Sequence, residues 1–195
     1  MTAAEIAATA ARLVVEEGLE YAAAKRRAAR SLGCARGELP SNDLVEDEVR
    51  QYLALFRADS QPAELAALRR LALHWMQRLA EFRPHLGGAA WRGTATRLST
   101  LHLDLYCDDP KMAEVALINL GLPYDSAQAP GARGGEPVSV LTISARSPDL
   151  RAEVPLHLHV RDWGEVRGAL KADAQGRSWR GDAAALERRL AEDGT

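Results

Sequence analysis

The feature that most limits what this chain can become is the run Leu101-His102-Leu103-Asp104-Leu105-Tyr106, in which leucine occupies every second position. Side chains on a strand point alternately to the two faces, so this run puts three leucines on one face and His102 and Asp104 on the other. A second run, Val154-Pro155-Leu156-His157-Leu158-His159-Val160, repeats the pattern. Its apolar residues face inward and His157 and His159 face away. Two such strands require a sheet with one buried face and one polar face. Just upstream, Gly87-Gly88 leads into a small-residue turn and then Arg92-Gly93. A glycine turn ahead of a short helix can leave backbone N–H groups free to hold a phosphate.

The rest of the chain divides around residue 83. Before it, the periodicity is helical throughout. One helix is expected from Ala3 to about Glu16, with Ile6, Ala10, Leu13 and Val14 on one face and Gly18 as its stop. A second spans Leu19 to Leu32 and carries Lys25, Arg26, Arg27 and Arg30 on its outer face, a solvated surface in its simplest reading. Asp43 with Glu46 has the chemistry of a helix cap, followed by a stripe of Val45, Val49, Tyr52 and Phe56. After Ser60, Leu65, Leu68, Ala72, Trp75, Leu79 and Phe82 form a core stripe that Pro84 ends. His74 lies beside this stripe and is expected at the surface.

After Pro84, short alternating runs and glycine or proline turns replace the long helical period. Strands are expected at about His85 to Gly88, Thr100 to Tyr106, Val138 to Ala145 and Val154 to Val160. Asp109-Pro110 opens a helix with Met112, Val115, Ala116 and Leu120 toward the core. Asp125 to Pro137 is expected to be a mobile loop. Asp162 with Glu165, and then Asp182, cap two further helices. The fold class is therefore α+β: a helical region over 1–83, then a small mixed sheet flanked by helices over 84–195.

Composition narrows the function classes. A net charge of −2 over 195 residues argues against bulk attraction to nucleic acid. No run approaches membrane-spanning length, and the acidic N-terminal stretch does not suit a secretory leader. Two cysteines, Cys34 and Cys107, make no disulfide framework, which points to a reducing cytoplasm.

The order strand, glycine turn, helix, polar-alternating strand, helix, strand, strand resembles the nucleotidyltransferase fold of the polymerase-beta-like superfamily. That family's pattern is an apolar residue, Gly, then Gly or Ser, and after a gap Asp-x-Asp or Asp-x-Glu on a strand, with a third acid on a later strand. The resemblance implies a glycine turn that holds nucleotide phosphates and carboxylates that carry two divalent metals. Two registers fit. Leu86-Gly87-Gly88 as the turn makes His102-Leu103-Asp104 the pair. Alternatively Gly88 to Gly93 matches the Gly-Ser-x-x-Arg-Gly form, with Ser99 ahead of Thr100-Leu101-His102. Both put His102 in the site, and His157 and His159 stand where the third acid belongs.

The resemblance thus implies a degenerate member, one that keeps a nucleotide or phosphate cradle at Gly87, Gly88, Arg92, Arg97 and Ser99 without efficient catalysis. His102, Asp104, His157 and His159 form a candidate metal set. Three imidazoles and a carboxylate suit a first-row transition metal better than magnesium. The competing expectation is an active transferase acting on a protein, RNA or small acceptor, with a divalent metal on Asp104 and His102 as base. A third is an interaction module in which the helical region binds a protein partner or a second copy. Cys107, following the polar strand, could lie near His102. Neither Ser99 nor Ser144 sits in a nucleophile-elbow pattern.

Overall fold

The computed structural model describes residues 2–34, 39–131, 135–174 and 176–193. The chain folds into two compact units, one made of Met1–Leu65 with Thr94–Ser99 and the other of Ala66–Gly93 with Thr100–Thr195. The division between these units falls inside the helix Gln61–Arg78, and the short segment Thr94–Ser99 joins the first unit.

Three helices build the first unit: α1 (Ala3–Glu17), α2 (Tyr21–Ser31) and α3 (Asn42–Phe56). Thr2 and Glu5 form a capping box on α1, and Gly18 closes it in the left-handed conformation at φ 69°. A side chain at Gly18 would also meet the Leu98 carbonyl at 2.8 Å. The core is notably alanine-rich, with Ile6, Ala7, Ala10, Ala24, Ala28, Val45 and Val49 buried together. Small residues on α1 and α2 permit close approach, and the branched residues of α3 fill what remains. The cap of α3 is Ser41, whose hydroxyl accepts from the Leu44 amide, two residues earlier than Asp43. Leu53 completes its buried stripe. Phe56, expected inside, is exposed and rests against Tyr52 with ring centroids 4.7 Å apart. Arg27 pairs with Glu17, and Lys25 donates to Asn42 and to the Pro40 carbonyl, so part of the basic face is tied down within the unit.

In the second unit, a mixed five-stranded sheet is flanked by helices. The strands are β1 (His85–Gly87), β2 (Leu101–Cys107), β3 (Asp125–Ala129), β4 (Val138–Ser147) and β5 (Ala152–Asp162), in the order β1-β2-β5-β4-β3. β2 and β5 run parallel; the other neighbours are antiparallel. Leu101, Leu103 and Leu105 of β2, Val154, Leu156, Leu158 and Val160 of β5, and Leu141 and Ile143 of β4 are buried, as their alternation requires. Helix α4 (Gln61–Arg78) and the 3-10 turn Ala80–Phe82 add Leu68, Ala72, Trp75, Leu79 and Phe82 to the buried set.

Two expectations are corrected here. Asp125 to Ala129 is not a loop but β3, which pairs with β4 along its length. Its side chains are small or polar and mostly exposed, so a strand held by backbone pairing at a sheet edge left no alternation to detect. Residues 132–134 of that stretch lie outside the described ones. Helix α6 (Lys111–Asn119) buries Ala113 and Leu117, whereas Met112, Val115 and Leu120 are exposed. The helix is rotated by about one residue, roughly 100°, from the face its larger side chains suggested. The Asp162–Glu165 capping box is present before a 3-10 turn, Trp163–Gly168. Asp182 accepts from the Ala185 amide at the start of α7 (Ala183–Asp193). No helix among the described residues is long and apolar enough to cross a membrane.

Candidate functional site

The cross-strand register decides which side chains meet on the polar face. His102 of β2 stands beside His157 of β5, which stands beside Thr142 of β4; on the other side, His102 pairs with Gly87 of β1. One step along, His85, Asp104, His159 and Val140 form the next row. The three imidazoles are in mutual contact, with ring centroids 5.3 Å (His102–His157), 5.4 Å (His102–His159) and 6.4 Å (His157–His159) apart. His102 Nδ1 and His159 Nε2 share a hydrogen bond at 3.1 Å, and His157 Nδ1 bonds the Thr142 hydroxyl at 2.7 Å. Burial, with the neighbouring His102 next, pushes His159 down from 6.5 to about 4, so it is neutral at pH 7.

Asp104 is buried and its carboxylate is doubly engaged. Arg161 Nε donates to Oδ1 at 2.7 Å, and Arg180 NH1 reaches Oδ2 at 2.6 Å. Arg161 is the next polar-face residue of β5 after His159, so extending that strand's alternation by one step would have found it. Arg180 comes from an irregular segment far along the chain and left no sequence signal. Nor did Thr142, an ordinary strand residue until its register with His157 is known.

The glycine turn meets this face directly. Gly88 begins the five-residue helix α5 (Gly88–Arg92) at φ 67°, and a Cβ there would stand 3.1 Å from His102 Cδ2. Only glycine combines that backbone with so close an approach to the imidazole. Arg92, at the other end of α5, lies 5.9 Å from the Trp179 ring.

Gly87, Gly88, Arg92, His102, Asp104, His157 and His159 thus all belong to the sheet unit. Arg97 and Ser99 belong to the helical unit, where the Arg97 amide donates to Glu64 and the Ser99 hydroxyl accepts from the Thr96 amide. Cys107 points to the apolar face, opposite His102, because odd positions of β2 face the core; burial and nearby aspartates push its thiol up. His74 is exposed. The expected metal set shares a face but does not assemble: among the described residues, no group of three or more His, Cys, Asp or Glu is arranged to hold a metal ion. The reason is visible in the partners, since Asp104 is bound by two guanidiniums, His157 is turned to Thr142, and His102 and His159 bond each other.

What remains is a patch of imidazole and hydroxyl groups that can donate and accept hydrogen bonds, bordered by a glycine turn. Comparison with protein-family models, curated proteins and solved structures gives no match for this chain.

Proposed function

We propose that the chain is a degenerate nucleotidyltransferase-fold protein that binds a nucleotide or another phosphate-bearing ligand without efficient metal-dependent catalysis. The reading rests on one observation above others: Gly88 abuts His102, so the glycine turn and the three histidines make one continuous surface. The turn supplies backbone N–H groups suited to phosphate oxygens, and the imidazoles supply hydrogen-bonding edges and faces for the remainder of the ligand. Gly87, Gly88, Arg92 and His102 are the residues assigned to it.

The engagement of Asp104 supports the reading of inefficient catalysis. A hard divalent cation prefers carboxylate oxygen, and the strand carboxylate on this patch, Asp104, already has one oxygen bound by each of two arginines. A metal would have to displace both. Binding by this protein is accordingly expected to be independent of Mg²⁺.

Isothermal titration of the full chain with the common nucleotides, with and without Mg²⁺, tests the reading. Heat is expected with at least one nucleotide, unchanged by Mg²⁺ and abolished in Gly88→Asp, which sets a carboxylate where phosphate would lie. Silence with every nucleotide, or undiminished heat in Gly88→Asp, would sink it.

A further inference from the structure

A cleft of about 360 Å³ opens beside α5, and no histidine is among the residues that line it. Trp91, Leu170, Arg180, Ala185, Arg188 and Arg189 line it. We propose that this cleft is a second site, which takes a phosphate monoester with its phosphate held by Arg188 and Arg189 and its organic part against Leu170 and Ala185.

The charges make the case. Arg180 already has an anionic partner in Asp104, which it shares with Arg161. Arg189 is not paired in this way. Its guanidinium lies 3.6 Å from the centroid of the Trp91 ring and donates through NH1 to the Trp91 carbonyl. These contacts fix its position and leave most of its five N–H donors unused. Arg188, next to it on α7, is exposed and makes no hydrogen bond or ion pair among the described residues. Glu192 is the one carboxylate on the lining. Burial, and then the charge of neighbouring Arg69, push the pKa of Arg189 below its ordinary value, while Asp193 and Glu192 act the other way. An anion in the cleft would give Arg188 a partner and add to the charge that faces Arg189.

The shape fits a small molecule rather than a bare ion. The volume lies within the ordinary range of small-ligand sites, about 300–1,000 Å³. Leu170 is 48% exposed, a large apolar side chain at the cleft with nothing to cover it but solvent. Two guanidiniums and apolar side chains on one lining suit an ester in which one end is dianionic and the other is carbon. Arginine's planar fork grips phosphate oxygens in pairs, which a single lysine would not.

Calorimetric titration of the full chain with inorganic phosphate and with phenyl phosphate tests this. Both should bind, phenyl phosphate more tightly. Arg188→Glu, at an exposed position where folding is expected to tolerate it, should weaken both by about tenfold or more. Arg188→Lys should recover part of the loss. The proposal is overturned if neither compound binds, or if Arg188→Glu binds both as the unaltered chain does. It is equally overturned if phosphate binding survives Arg188→Glu and vanishes in Gly88→Asp, which would put the anion at the glycine turn. Equal affinity for the two compounds would remove the apolar half of the proposal and leave free phosphate as the ligand.

Discussion

The two faces of the five-stranded sheet are made by the same strands with the same alternation, yet they are held together differently. On one face, Leu101, Leu103, Leu105, Leu156, Leu158, Leu141 and Ile143 are buried and carry no hydrogen-bonding groups. Any residue of similar size and hydrophobicity would serve there, at modest cost. On the other face, each side chain depends on a particular neighbour: Asp104 on two arginines, His102 on His159, His157 on Thr142. The apolar face supplies the free energy, and the polar face supplies the chemical identity. Losing a contact on the first creates a cavity; losing one on the second leaves a polar group without its partner.

The largest effect is therefore expected on the apolar side. Leu158 is fully buried at the centre of β5, between β2 and β4. Leu158→Ala should cost about 2–5 kcal/mol, the range for leucine truncation in a packed core, read from denaturant midpoints. It should leave the spacing of the histidines intact as long as the sheet remains folded. A loss under about 1 kcal/mol would mean that this face relaxes freely, contrary to the close packing of protein interiors.

This contrast also explains what could be read from the sequence. Alternation with leucine or valine at every second place gave β2 and β5 and told that their histidines face away from the core, while β4 followed from a looser apolar run between glycine and proline turns. Local cap chemistry gave Asp162 with Glu165, and Asp182, because a cap is decided within four residues. The partners of Asp104 were out of reach, since Arg180 is brought to it by the irregular segment ahead of α7. β3 was missed because its stability lies in backbone pairing with β4. The face of α6 was misjudged because its bulkier apolar residues, Met112 and Val115, are the exposed ones, and Ala113 and Leu117 are inside. The apolar face is a property of single strands; the candidate site is a property of their register.

A medium effect is expected on the polar side, and it depends on pH. His159 is lowered from 6.5 to about 4 in the folded chain, by burial first and by His102 next, with His157 and Arg161 also opposing its charge and Asp104 favouring it. Above pH 6.5 the ring is neutral whether the chain is folded or not, and the stabilisation is fully present. Between pH 6.5 and 4 the unfolded chain takes up a proton that the folded chain refuses, so stability falls as pH falls. Across the whole window the loss is about 3 kcal/mol. Burial lowers His85 as well, in the same direction. Urea midpoints at pH 7 and pH 5 should show this slope in the unaltered chain and a shallower one in His159→Gln, with the His85 part remaining. Parallel slopes in the two proteins would mean that His159 is no more buried than an ordinary surface histidine.

The smallest effect tests whether the glycine turn belongs to the polar face at all. Gly88→Ala forces a side chain onto a backbone at φ 67° and places its Cβ 3.1 Å from His102 Cδ2. The left-handed backbone alone costs about 1–2 kcal/mol, whatever surrounds it. The crowding adds to this only to the extent that His102 is held in place by its bond to His159. Replacing the imidazole separates the two contributions. In the His102→Ala background, Gly88→Ala should lose its crowding part and keep its backbone part, a coupling of about 0.5 kcal/mol or more in a double-mutant cycle. Additive behaviour would detach the turn from the histidines and remove the observation on which nucleotide binding was argued. Coupling would show that a residue of α5 and one of β2 act as a single surface, the arrangement from which nucleotide binding is argued.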